Sequence, residues 1–181
     1  MTLAFLTLLA LAVEPPALPV DEVARIATVM VDGELAKRIQ TPRSLALMVS
    51  KNLREPWEAS DNYEVDHASF VSMKKTLIRL SRLCALPCDA NLWIPLPTQP
   101  ARIHVAVRNV NEMSQFWPWG SLSQDMPPEM KQVLETGKRV TVQKRPGMTS
   151  VLAPVYDSLG DVAAIVEVVT MARPDPRENV K

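Results

Sequence analysis

Residues 150–169 read SVLAPVYDSLGDVAAIVEVV. Two runs rich in valine, alanine and isoleucine, residues 150–156 and 162–171, carry the β-branched and apolar content of strands. Between them Asp157-Ser158-Leu159-Gly160-Asp161 gathers turn formers, with a glycine where a positive φ is expected. The spacing predicts a closing β-hairpin, and the rest of the chain is read outward from it.

Upstream, residues 140–144 form one further strand. Residues 90–96 (ANLWIPL) and 101–110 (ARIHVAVRNV) form two more. Pro95 marks an edge, a bulge or an early end in the first of these, because proline cannot donate to a ladder. A linker rich in aromatic and polar residues, 111–126, separates the pairs. Pro127-Pro128 then opens a short helix through Glu135 that Gly137 terminates.

The N-terminal part is helical in pattern. After an N-cap at Asp21, Val23, Ile26, Ala27, Met30 and Val31 recur at three- and four-residue spacing. Thr41-Pro42 reads as a second N-cap with proline at the first helical position, continued by Leu45, Met48, Val49 and Leu53 up to Pro56. Residues 57–65 form a polar loop. Asp66 caps a third helix whose apolar stripe is Phe70, Met73, Leu77, Leu80 and Cys84, ended by Pro87. The expected fold is an α/β chain of the α+β kind: a five-stranded antiparallel sheet with the N-terminal helices packed on one face.

Composition bounds the functions open to such a fold. The 181 residues carry 20 basic and 20 acidic side chains, so no broad positive footprint is present for a nucleic acid. Apolar residues at 47% and charged ones at 22% are ordinary globular values. Sixteen prolines against five glycines stiffen the loops and leave few flexible phosphate-cradling turns. Residues 1–12 (MTLAFLTLLALA) are apolar but far shorter than the ~20 residues of a membrane span. They fit the core of a signal peptide, with Ala10-Leu11-Ala12 as the small-residue cleavage motif and no Lys or Arg ahead of the run. A buried N-terminal helix is the alternative. Export places the protein in the periplasm or outside the cell; a cytoplasmic location is the other reading. No cysteine follows the cleavage motif, so no lipoprotein anchor is expected. Residues 173–181 read as a flexible charged tail.

Cys84 and Cys88 are the only cysteines. At i,i+4 on a helix end their Cα atoms fall roughly 6 Å apart, within reach of a disulfide. A free buried pair is equally compatible with the spacing. Two cysteines do not make a metal site, and neither His67 nor His104 stands at a ligand spacing from them.

Three segments carry a family resemblance: residues 77–93 (LIRLSRLCALPCDANLW), 133–142 (VLETGKRVTV) and the closing hairpin 150–169. Together with the element order they resemble the GAF, PAS and Cache sensor domains over residues 68–172. The organisation becomes a signal peptide at 1–12, N-terminal helices at 20–56, a sensor-like domain at 66–172 and the tail. Exported Cache domains carry a long N-terminal helix, whereas a plain GAF domain predicts neither the signal peptide nor the helices. The resemblance implies a pocket for a small molecule between the sheet and the connecting segment, and a role in signal transduction through a partner protein. No cofactor is expected.

Several residues are candidates to line such a pocket. Strict alternation along 103–108 puts Ile103, Val105 and Val107 on one strand face and His104 and Arg108 on the other. If the first set packs under the helices, His104 and Arg108 face the pocket, where Arg suits a carboxylate and His titrates near neutrality. A solvated polar face explains the same pattern. Trp117 and Trp119 in FWPWG can roof an apolar or ring-shaped ligand, anchor a partner protein or close the domain's own core. Glu167 interrupts an apolar run, where an unpaired buried carboxylate is costly. The simpler expectation is a solvent-facing Glu167; the functional one is a pocket acid near Arg108, with Tyr156 on the same face. The expected ligand is small, anionic or aromatic. An interaction or homodimerisation module built on helices 21–55 is the alternative. Catalysis finds no constellation: nothing pairs either histidine with a nucleophile, and no P-loop or dinucleotide motif appears. The free methionine sulfoxide reductases are a related enzyme class, but Cys84 and Cys88 lie ahead of the first strand and do not resemble that family's arrangement.

Overall fold

The computed structural model describes residues 17–49, 65–116 and 123–171. The signal peptide expected at 1–12, Leu53, Trp117, Trp119 and the tail 173–181 lie outside the described residues.

Among the described residues, the stretch 17–49 divides into three helices, and a fourth follows at Asp66. Helix α1 (Val20–Met30) starts after Pro19, so Asp21 sits in its first turn and not at the cap. At Asp32 the chain turns, and its carboxylate accepts from the Glu34 and Leu35 amides to start α2 (Gly33–Ile39). Helix α3 (Pro42–Val49) follows Thr41, whose Oγ1 accepts from the Ser44 amide, as the sequence predicts. Helix α4 (His67–Ser81) begins under the Asp66 cap, which accepts from the Ser69 amide. It stops at Ser81, short of Cys84.

Among the described residues the sheet has six strands, against the five expected. They are β1 (Cys88–Leu96), β2 (Gln99–Val107), the two-residue β3 (Gln124–Asp125), β4 (Val140–Val142), β5 (Met148–Tyr156) and β6 (Val162–Met171). All neighbours are antiparallel in the order β3-β2-β1-β6-β5-β4. The extra strand β3 lies within the segment read as a linker. Helix α5 (Pro128–Thr136) precedes β4 and ends at Gly137 in the left-handed conformation, φ 62°. The hairpin 150–169 forms as read, with Asp157 Oδ1 accepting from the Leu159 and Asp161 amides and Gly160 at φ 87°. The pairing of β1 with β6 ends at Trp93, so Pro95 is paired only with Ile103 of β2, and the register shifts between Pro95 and Leu96: it is a local edge next to a bulge.

Both faces of the sheet are covered. On one, Val23, Ala27, Ala36, Ile39, Met73 and Leu77 of the leading helices pack on Ala90, Leu92, Val166 and Val168. On the other, Trp93, Ile103, Val105, Leu152 and Ile165 pack with Phe116 and with Met130 and Val133 of α5. The leading helices therefore cover one face, as expected, while α5 and the segment after β2 cover its reverse. No helix among the described residues is long and apolar enough to cross a membrane.

Candidate functional site

The reverse face of the sheet holds the most developed polar chemistry. Alternation along β1 puts Cys88, Ala90, Leu92 and Ile94 toward the leading helices. Asp89, Asn91 and Trp93 therefore point the other way, and all three are buried. Residues 109–116, which follow β2, cross this face as a strap, and each of the three helps hold it.

Asp89 accepts from the Asn111 amide at 3.2 Å, the Asn111 side chain at 2.9 Å and the Met113 amide at 2.8 Å. Between those two amides Glu112 adopts a positive φ of 53°, unusual for a residue with a side chain. The converging N–H groups offset the strain of the turn by sharing one carboxylate. Asn91 donates to the Met113 carbonyl and accepts from the Asn109 amide, while Asn109 donates to the Leu77 carbonyl of α4.

Glu167 is the centre of the site. It pairs in register with Asn91 of β1 and Leu152 of β5, and it is completely buried. Trp93 Nε1 donates to its Oε2 at 3.0 Å and Ser114 Oγ to the same oxygen at 2.6 Å. The Gln115 amide and Ser150 Oγ donate to Oε1 at 2.8 and 2.9 Å. Burial pushes its pKa up, and the four donors pull in the opposite direction without cancelling the effect of burial. The expectation of a solvent-facing Glu167 is therefore wrong: its neighbours supply the donors that make burial tolerable. A carboxylate has about four lone-pair positions, and here all are taken by the protein itself.

Gln115 extends the network. Its side chain donates to the Met148 carbonyl at 2.9 Å and accepts from the Lys144 and Arg145 amides at 3.1 and 2.9 Å, tying the strap to the β4–β5 turn. Lys144 Nζ lies 4.8 Å from the Phe116 ring centre and 2.9 Å from Glu129 of α5. That turn and the first two residues of β5, together residues 143–149, line an open groove of about 400 Å³.

Among the described residues, His104 and Tyr156 make their side-chain bonds away from Glu167. His104 faces the leading helices, contrary to expectation. Leu92 pairs with Val107 and Trp93 with Val105, so Ala106 is an extra residue on β2. This bulge reverses the alternation: Ile103 and Val105 pack on the strap side and Val107 on the helix side. Burial pushes the His104 pKa down to about 4 and keeps the ring neutral, so its Nε2 accepts from the Gln40 side-chain amide. Beyond β2, the Arg108 carbonyl accepts from Lys74 Nζ of α4. Tyr156 Oη donates to the Gly137 carbonyl at 2.9 Å, at the α5–β4 junction.

Sequence reasoning missed Asp89, Asn91, Ser114, Gln115 and Ser150. One signal was available: Asp89 and Asn91 alternate with the apolar Cys88, Ala90 and Leu92, the pattern of a strand with one polar face. Among the described residues no three His, Cys, Asp or Glu side chains gather as a metal site. Cys84 and Cys88 are joined as a disulfide with Cα atoms 6.3 Å apart, the bonded alternative of the two left open by their spacing. The chain matches no family model, and no curated protein matches it.

Proposed function

We propose that this chain is an exported sensor-type domain of the GAF, PAS or Cache kind, acting in signal transduction through protein contact and not through catalysis. The observation that carries the reading is the arrangement of the sheet. Strands β1 and β6 lie side by side at its centre, and the strap and α5 lie between β2 and β4 in the chain, on the face opposite the leading helices. This supports the element order on which the family resemblance rests. The Cys84–Cys88 disulfide supports an oxidising compartment, periplasmic or extracellular.

The contact is assigned to the N-terminal helices and a second copy of the chain. Beneath the strap, Trp93, Phe116, Met130, Val133 and Ile165 occupy the layer where a ligand was expected, and Glu167 is satisfied internally. At the end of α1, by contrast, Val29 and Met30 are 80% and 60% exposed. Light scattering of the purified chain tests this: a concentration-dependent dimer is expected, and Val29→Lys with Met30→Lys should leave a monomer. A wild-type chain monomeric at all concentrations overturns self-association.

A second reading, a small anionic ligand, is favoured by the open groove along residues 143–149, where Lys144 and Arg145 contribute positive charge. Thermal-shift screening against carboxylates, amino acids and aromatic metabolites tests it. Absence of stabilisation by every class removes this reading and leaves the first intact.

A further inference from the structure

The disulfide stands where three parts of the chain meet. Cys84 lies just beyond the end of α4, and Cys88 is the first residue of β1. The segment that leads into α1 is fastened to the same turn: the Leu18 amide donates to the Leu83 carbonyl at 2.7 Å and the Ala85 amide to the Leu18 carbonyl at 2.9 Å. These two bonds straddle Cys84, which pairs with Leu18 as an isolated parallel bridge. On the far side of the turn, Thr170 Oγ1 donates to the Pro87 carbonyl at 3.0 Å.

The two cysteines differ in exposure. Cys88 is buried in the core under the leading helices, whereas Cys84 is only partly buried at its edge and is followed by exposed Ala85, Leu86 and Pro87. The bond closes a loop with a sequence separation of only 4, so it removes little freedom from the unfolded chain. A core built on both faces of a six-stranded sheet does not require such a staple. Its consequences are local to the turn and to what the turn holds.

We propose that Cys84–Cys88 is a thiol–disulfide exchange site for a small or protein dithiol, and that its oxidation state controls how firmly residues 17–18 hold the start of α1. A thiolate of the dithiol attacks Sγ of Cys84, the more exposed residue of the pair. The Cys84–Cys88 bond breaks, a mixed disulfide forms at Cys84, and Cys88 leaves as a thiolate that takes up a proton. The Ser81 carbonyl oxygen stands 3.3 Å from Cys88 Sγ, an acceptor already in place for the new S–H. The second thiol of the dithiol then attacks its own sulfur in the mixed disulfide and releases Cys84. Two electrons and two protons pass to the protein, and the dithiol becomes a cyclic or intramolecular disulfide. Reduction frees the turn 82–88, and with it the two backbone bonds that flank Cys84.

Dithiothreitol serves as the probe, on the full chain without denaturant. Alkylation and mass measurement should show two reactive thiols after treatment and none before. Hydrogen exchange at the Leu18 and Ala85 amides should rise about tenfold, while amides of β1, β5 and β6 keep their protection. Cys84→Ser with Cys88→Ser should give the reduced pattern with or without dithiothreitol. Three outcomes overturn the proposal: thiols that appear only in denaturant, reduction that leaves Leu18 and Ala85 protected, or reduction that unfolds the whole sheet.

Discussion

Trp93 and Glu167 are joined across the central pair of strands by a 3.0 Å hydrogen bond from the indole Nε1 to the carboxylate Oε2, with both side chains fully buried. An indole N–H in an apolar core needs an acceptor, and a buried carboxylate needs donors. Each residue meets the other's requirement, and Ser114, Ser150 and the Gln115 amide complete the set. The strap is thereby fixed to the sheet through a carboxylate with no remaining capacity.

Truncating Glu167 to Ala should strand several buried donors at once. Loss of about 3–5 kcal/mol is expected from urea unfolding, because each neutral donor left buried without an acceptor costs about 1–3 kcal/mol. The pH dependence has a defined sign. Because burial raises the folded-state pKa, this group's contribution is fully present below the ordinary glutamate value and is lost as pH rises through the raised one. Stability relative to Glu167→Gln should therefore fall with rising pH in that window. The difference in urea midpoint between wild type and variant across pH measures it.

His104 acts in the opposite direction. Its folded-state pKa of about 4 lies below the free value of 6.5, so the stability it contributes is present above the free value and is lost as pH falls toward 4. The full span corresponds to roughly 3 kcal/mol. His104→Gln should flatten the acid limb of the stability profile between those values, and imidazole NMR titration should show no protonation near neutrality.

Gly33→Ala should be poorly tolerated. A Cβ at this position would lie 2.3 Å from the Tyr156 carbonyl oxygen, a backbone atom at the end of β5. The start of α2 must then move off the sheet, taking with it the Glu34 bond to Ser158 and the Lys37 bond to Asp157. Thermal unfolding should report about 1–3 kcal/mol of destabilisation, the usual cost of overpacking.

Glu112→Gly should be stabilising. The φ of 53° is strained for a side-chain-bearing residue and free for glycine, so a gain of up to about 1 kcal/mol is expected. The gain depends on Asp89 holding the turn, so it should shrink in the presence of Asp89→Asn. A double-mutant cycle in urea measures that coupling.

The local features were legible in the sequence because each arises from neighbours along the chain. Asp66 caps α4, Thr41 caps α3, Gly137 ends α5 and Asp157–Asp161 turns the last hairpin, all through bonds spanning a few residues. The break between α1 and α2 was missed because the apolar spacing runs on through Val31 to the Asp32 cap. The strand β3 was missed because two residues carry no period. At the candidate site, Glu167 was identified as anomalous and assigned to the wrong environment.

Sequence alone determined that there is a strand pair at 150–169, helices ahead of it, and a carboxylate where an apolar run expects none. The tertiary structure decided what surrounds that carboxylate. Ser114, Ser150 and Trp93 are distant along the chain, and only strand register and the strap bring their donors to Glu167. It also decided the side on which His104 lies, because one extra residue at Ala106 reverses the alternation. Periodicity gives the alternation of side chains, but a single bulge changes its phase, and a bulge is a property of two paired strands.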